Sequence, residues 1–193
     1  MNKKTKTQIS LALVLALAIS LFYGITQTNL LAQNEVYVSG IMLTYDDGTT
    51  EMVNSNQQMT MIDYNSGRTV VSISTVVSVT PNYIGNLASY SFNGRSSFIF
   101  AKSTTDLINL STQTLSATGT YLAPNQATNI IVGSSPASSM ETLVRNYGAV
   151  NNIYYRFILH TEDPVSLTLT FTNGIQQTKT YNLPDFQWSF KLI

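Results

Sequence analysis

The feature that most constrains this chain is an apolar run near its N-terminus. Residues 9–25 read ISLALVLALAISLFYGI, and Lys3, Lys4 and Lys6 precede them without any acidic residue. A membrane-spanning helix needs about 17–25 residues, so this run stands at the lower limit of the range. Basic residues before the run, with none directly after it, keep the N-terminus in the cytoplasm and direct the rest of the chain outward. The sequence therefore predicts a protein that is extracellular or at the cell surface.

The sequence leaves open whether the run is removed. Signal-peptide cleavage prefers small residues three and one positions before the cut, but Leu30 stands two places before Ala32, the nearest small residue. An uncleaved run would anchor the chain in the membrane. Processing near Lys6-Thr7 would instead place the run in a filament, and here the segment resembles a type IV pilin leader without its usual glycine and glutamate. We divide the chain into a signal peptide or anchor, 1–34, and an extracellular domain, 35–193.

The composition of the extracellular domain excludes several classes of function. The chain has no cysteine, which rules out disulfides, thiol catalysis and iron–sulfur clusters. From residue 35 onward, seven Lys and Arg face ten Asp and Glu, a net charge of −3 that argues against a nucleic-acid partner. Ser, Thr, Asn and Gln make up 73 of 193 residues, whereas charged residues are 10%. This composition is similar to that of archaeal cell-surface proteins, and it favours a homo-oligomer or other surface proteins as partners.

From Glu35 onward, β-branched and aromatic residues alternate with polar ones between short turn signals. Hairpin turns are predicted at Asp46-Asp47-Gly48, at Asn65-Ser66-Gly67 and at Asn93-Gly94, because these residues tolerate positive φ. Pro81 should end a strand, since it cannot donate a backbone hydrogen bond. The spacing predicts an all-β chain with a single β-sandwich of immunoglobulin-like or jelly-roll type.

The last third of the domain has the clearest alternation. Odd-numbered residues are apolar in 153–159 and in 165–171, which predicts one packed face for each strand. Asn173-Gly174 predicts another hairpin, with flanking residues that resemble those of the 46–48 turn. The final strand, Phe186 to Leu192, is too apolar for an open edge, so we expect other strands to cover it.

Two segments are less regular. Residues 102–119 are rich in Ser and Thr and fit either a long crossover or one or two edge strands. One short helix is predicted from Ser139 to Tyr147, because Ser138 and Glu141 have the spacing of a capping box.

Candidate catalytic and metal-binding residues are few. His160 lies near Glu162 and Asp163, as a base with its orienting acid or a metal ligand would. The alternation places it on the polar face at a strand end, which favours a solvated loop histidine. The three carboxylates within 46–51 could donate oxygens to calcium, but the loop is short and a turn explains it. We therefore predict no catalytic residue, no metal site, no cofactor and no enzymatic activity.

Tyrosines and one sequon raise the alternative of carbohydrate recognition. Aromatic faces stack on sugar rings, and the candidates are Tyr64, Tyr83, Tyr90 and Tyr154, whereas alternation places Trp188 on a packed face. Asn109-Leu110-Ser111 makes Asn109 the candidate glycosylation site. These features fit a glycan- or surface-binding adhesin module. A further alternative is an accessory subunit of a membrane complex, held by the uncleaved anchor.

The leading hypothesis is a non-enzymatic cell-surface or structural protein. It is tethered to the membrane by residues 9–25, or it is a subunit of an extracellular filament or surface layer. In one specific version, Glu35–Tyr45 is donated as a strand to a neighbouring subunit. The side chains that would be inserted are Val36, Val38, Ile41 and Leu43.

Overall fold

The fold is seen in a computed structural model, which describes residues 35–54, 60–62, 68–101, 107–136 and 154–192. Their strands, in chain order, are β1 (Glu35–Tyr45), β2 (Thr50–Asn54), β3 (Thr60–Ile62), β4 (Val70–Thr80), β5 (Leu87–Ala101), β6 (Leu107–Gly119), β7 (Thr128–Pro136), β8 (Tyr154–Thr161), β9 (Val165–Phe171), β10 (Gln176–Tyr181) and β11 (Phe186–Leu192). These ranges contain no helix that could span a membrane. The apolar run 9–25 and the predicted helix 139–147 lie outside them. The described chain is all-β and forms two sheets, as the alternation predicted.

The first sheet, sheet A, has the order β2-β1-β4-β7 and is antiparallel throughout. β1 lies inside it, because β2 pairs with one edge and β4 with the other. The predicted turn between β1 and β2 is confirmed: Gly48 has a φ of 80° and donates its amide to Tyr45 O at 3.0 Å. β4 ends at Thr80, directly before Pro81, also as predicted.

The second sheet, sheet B, is built around the long strand β5. β6 pairs along one edge of β5, while β9 and β8 pair with successive halves of the other edge. The predicted hairpin turn at Asn93-Gly94 is therefore wrong. Both residues lie inside β5, opposite Ser116 and Leu115 of β6. Residues 102–119 do supply an edge strand, β6, which was one of the two outcomes expected.

Two neighbouring segments of sheet B are each interrupted: the first consists of β8 and β9, and the second of β10 and β11. β8 and β9 follow one another beside β5, and β10 and β11 return beside them, pairing with β9 and β8 respectively. The interruptions fall at 162–164 and 182–185, and each contains a proline, which cannot donate to the ladder. As expected, the last strand is covered, since β11 lies between β8 and β3.

The predicted hairpin between β3 and β4 is wrong. β3 pairs in parallel with β11, in the other sheet. β4 has no free edge for it, because β1 and β7 occupy both sides. The predicted turn residues, Asn65-Ser66-Gly67, lie outside the described residues, so it is the pairing of β3 and β4 that contradicts the hairpin.

The core lies between the two sheets and is aromatic at one end. The alternation predicted for 165–171 is confirmed, because its odd-numbered side chains are buried. Trp188 is buried as well and stacks on Phe157, with ring centroids 5.3 Å apart. Edge contacts from Phe98 extend the cluster.

A buried polar bridge also joins the two sheets. Gln113 of β6 donates to Thr75 Oγ1 of β4 at 2.6 Å and accepts from Ser135 Oγ of β7 at 3.1 Å. All three side chains are buried. Both polar atoms of the Gln113 side-chain amide, Nε2 and Oε1, therefore have a hydrogen-bond partner. Because these partners lie in the other sheet, the bridge fixes the register of one sheet against the other.

Candidate functional site

One end of the sandwich is formed by the start of β1 and three loops. Glu35, the first residue of β1, pairs with the last residue of β4. The loop 81–86 then leads from β4 to β5, the loop 120–127 leads from β6 to β7, and the turn 172–175 joins β9 to β10. We name Glu35 and these loops the proximal end, because the chain from residues 1–34 reaches the domain there.

Hydrogen bonds hold the proximal loops to one another. They run from Tyr83 Oη to Leu122 O at 2.5 Å, from Asn125 N to Pro81 O at 2.7 Å, and from Thr172 N to Asn86 O at 3.0 Å. Beneath them, the ring of Tyr83 meets Phe171 edge-on, with centroids 5.7 Å apart. Burial raises the pKa of Tyr83, with a smaller contribution from Tyr121. The three loops therefore form one connected surface.

The proximal end combines exposed apolar side chains with loops that carry no charge. Ile84 is 75% exposed and Tyr121 is 74% exposed. Ile175 is also exposed and lines, with Ile84 and Phe171, a cavity of about 150 Å³. The three loops contain no Asp, Glu, Lys or Arg, which leaves Glu35 as the charged residue of this end. Pattern analysis missed these side chains, because single apolar residues in turns carry no periodic signal.

His160 pairs with an acid that the sequence analysis did not consider. Its Nδ1 lies 2.8 Å from Asp185 Oδ1, and both side chains are nearly half exposed. His160 stands near the end of β8 and Asp185 directly precedes β11, so the pair spans the interruption in sheet B. The predicted exposure on the polar face is confirmed, but His160 lies within strand β8 and not in a loop. Its partner was missed because the two residues are 25 positions apart in the chain.

A second polar network lies beside this pair and centres on Glu162. Ser97 Oγ donates to Glu162 Oε1, and Arg95 Nη2 lies 3.3 Å from Glu162 Oε2. Thr112 Oγ1 also lies within 3.4 Å of Glu162 Oε1. The hydrogen bond from Ser97, followed by the positive charge of Arg95, holds the pKa of Glu162 below its usual range. The network connects β5 and β6 to the β8–β9 interruption.

Ser97 and His160 are paired in register on the neighbouring strands β5 and β8, and Asp185 directly precedes the next strand, β11. These residue types also make up hydrolase triads, in which the histidine accepts the serine proton. Here Ser97 is only 3% exposed and donates to Glu162, and no hydrogen bond joins it to His160 in the described part of the chain. Within that part, no group of three or more His, Cys, Asp or Glu is placed to hold a metal. The contacts of Ser97 with Glu162 and of His160 with Asp185 hold sheet B together at the places where its strands are interrupted.

The acidic hairpin tip uses its carboxylates to hold the turn. Asp47 accepts the Thr49 amide at 2.8 Å and lies 3.2 Å from Arg68 Nε. The hydrogen bonds from Thr49, with the charge of Arg68, lower the pKa of Asp47. Glu51 accepts from Tyr45 Oη at 2.7 Å, and burial, reinforced by Glu51, raises the pKa of Tyr45 to about 12. The turn interpretation accounts for these carboxylates.

The tyrosines proposed for sugar stacking do not form a platform in the described residues. Tyr83 is buried and Tyr90 is half-buried, while Tyr64 and the side chain of Tyr154 lie outside the described set. Trp188 is buried, as the alternation predicted. The sequence analysis did not propose Tyr121, the most exposed described tyrosine.

Asn109, the candidate glycosylation site, is exposed on β6. Its Nδ2 lies 3.5 Å from Ser97 Oγ, beside the Glu162 network. β6 pairs with β5 along one edge, and Asn109 stands opposite Ile99. The amide nitrogen that would carry a glycan is therefore on the surface of sheet B.

The strand proposed for donation is engaged within its own chain. Val38, Ile41 and Leu43 are buried in the core, and Val36 packs against it. Since β2 and β4 pair with both edges of β1, donation requires β1 to leave sheet A.

The class that these observations define is an all-β protein with two packed sheets. No family model and no curated protein matches the sequence. The chain is similar in structure to the solution structure of AT1g01470 from Arabidopsis thaliana, with 16% identity and a TM-score of 0.41. The match covers 82% of this chain and 81% of that one. A likeness at this level carries no functional argument.

Proposed function

We propose that this protein is a non-enzymatic domain of the cell surface, exported and tethered to the membrane by residues 9–25. The position of β1 carries the proposal. β1 begins at Glu35, with nine residues (26–34) between it and Ile25, where the apolar run ends, and it lies inside sheet A. Nine residues span at most about 30 Å, so an intact anchor would hold the sandwich within that distance of the bilayer.

The character of the exposed surface supports the same proposal. The outward side chains of β9 are Ser166, Thr168 and Thr170, and Thr168 exchanges a hydrogen bond with Thr178 of β10 at 2.8 Å. Such a surface interacts with water through hydroxyl groups and carries little charge. Copies packed densely on a cell would repel one another weakly, and salt would change their association little. The proposed domain is an immunoglobulin-like or jelly-roll sandwich that associates with itself or with other surface proteins.

The intact mass of the protein recovered from its native membranes tests the tether. We expect a chain that starts at Met1, stays with membranes after an alkaline carbonate wash, and is digested by protease added to intact cells. The matched control is a variant lacking residues 9–25, which should lose membrane retention and export together.

Two other starting points would contradict the tether. A start near Gln33 would show that the anchor is removed and the domain released. A start near Gln8 would indicate a pilin-like subunit, with the apolar run in a filament. Protection of the sandwich from external protease would contradict export itself.

A further inference from the structure

We propose that the proximal end docks on the lipid bilayer, with Ile84, Tyr121 and Ile175 in the interfacial region. This inference rests on the tether proposed above and specifies which surface of the domain faces the membrane. The three side chains are exposed, and they stand on loops that hydrogen bonds join into one surface. The partner is a lipid surface and not a second protein.

The position of the anchor selects this partner. Residues 26–34 connect the apolar run to Glu35, which belongs to the proximal end. Any bilayer that holds residues 9–25 therefore lies within about 30 Å of Glu35, whereas the opposite end of the sandwich is a full strand length, that of β1, away from this attachment point. At that opposite end are the charged 46–51 turn and Arg68.

The chemistry of the loops also fits a lipid interface. Tyrosine is enriched at membrane–water interfaces, where its ring meets the acyl boundary and its hydroxyl meets water. Moving exposed isoleucine side chains from water into the same layer lowers the free energy of the system. Because the loops carry no Lys or Arg, their binding should not depend on anionic lipid.

Exposed apolar residues at the distal end supply matched controls. Val71, near the start of β4, is 46% exposed, and Leu107, the first residue of β6, is 51% exposed. Both lie where β1 and β5 end, away from Glu35. Both are exposed, although less so than Ile84 and Tyr121, and they face away from the membrane in the proposed orientation.

The test places a nitroxide label on the full chain in phosphatidylcholine vesicles. The chain has no native cysteine, so Thr172→Cys labels the proximal end alone and Val71→Cys labels the distal end. We expect collisions with a water-soluble nickel relaxant to be about threefold or more lower at residue 172 than at residue 71, and collisions with lipid-soluble oxygen to be higher. Replacing half of the lipid with phosphatidylglycerol should leave both values unchanged.

A second pair of variants tests the side chains themselves. In the Ile84→Ser/Tyr121→Ser background, the label at residue 172 should become as accessible to nickel as the label at residue 71. The Leu107→Ser background should leave the label at residue 172 shielded. Circular dichroism confirms that each variant keeps its sheets.

The outcomes separate docking from tethering. If the chain does not float with the vesicles, the tether is wrong and docking fails with it. If it floats but the label at residue 172 is as accessible to nickel as the label at residue 71, docking is wrong while the tether stands. A label at residue 172 that is shielded from both relaxants would indicate a protein contact and overturn lipid docking.

Discussion

Gly94 lies against Val165, so closely that a Cβ on residue 94 would come within 2.6 Å of Val165 Cγ1. Val165 is fully buried and begins β9 directly after the interruption at 162–164. A side chain at residue 94 would therefore separate β5 from the start of β9. The glycine in Asn93-Gly94 serves close approach between strands, which explains why β5 continues through a dipeptide that usually turns.

Gly94→Ala should consequently destabilise the fold by about 1–3 kcal/mol, the usual cost of overpacking a core. Equilibrium urea unfolding of the full chain measures it. In a Val165→Ala background the cost should be smaller, because the clashing methyl group is gone. Equal costs in the two backgrounds would show that the contact with Val165 is not the cause.

Sequence patterns predicted the parts of this fold that depend on neighbours in the chain. The 46–48 and 173–174 turns are alike, as expected: in each, a side-chain oxygen accepts an amide two residues on, Thr49 N for Asp47 and Ile175 N for Asn173. Asn93-Gly94 has the same local chemistry but lies inside β5, because β5 pairs there with β9, a strand about 70 residues later in the chain. Pairing partners far along the chain were not visible in turn chemistry.

The same distinction applies to the polar sites. The exposure of His160 followed from alternation, whereas Asp185, its partner, could not be assigned without the pairing of β8 with β11. The Ser97 to Glu162 hydrogen bond likewise depends on the pairing of β5 with β8.

Ser97→Ala should raise the pKa of Glu162 toward its ordinary value of 4.5, because the Ser97 hydrogen bond contributes most to the lowering. A carboxylate with a lowered pKa stabilises the fold above its unfolded-state pKa, and that contribution is lost as pH falls through the folded value. The variant should therefore retain less stability near neutral pH. Carboxyl carbon NMR gives the pKa directly. Arg95→Gln, which removes a smaller contribution, should produce a smaller rise, and the reverse order would contradict the assignment.

Deprotonation of Tyr45 should lower the free energy of unfolding at alkaline pH. Its pKa is raised to about 12, above the ordinary value of 10.0, so the folded state holds the proton longer than the unfolded state does. The contribution is complete below pH 10 and is lost as pH rises toward 12. Urea unfolding across this range should show a shallower decline for Tyr45→Phe, and parallel curves for the two proteins would contradict the effect.

The Gln113 bridge should contribute to stability through its two buried partners. Gln113→Ala leaves Thr75 and Ser135 without their partner between the sheets, at a cost of about 1–3 kcal/mol. Thr114, the next residue of β6, is exposed, and Thr114→Ala should change stability by no more than about 0.5 kcal/mol. Thermal or urea unfolding of both variants checks the difference. Similar losses in both would point to strand propensity in β6 instead of the bridge.

Deletion of residues 35–45 should unfold the sandwich, because β1 is an inner strand of sheet A. If Glu35–Tyr45 were kept for donation, as in the specific version of the sequence hypothesis, it could be removed while the rest stayed folded. In the fold, Ile41 and Leu43 are buried, and the deletion would expose the paired edges of β2 and β4. Circular dichroism and proteolysis of the deletion variant measure the outcome, with Tyr37→Ser as a control, since Tyr37 is 46% exposed on the same strand. A deletion variant that stays folded, and folds more stably when a peptide of residues 35–45 is added, would instead support strand donation between copies.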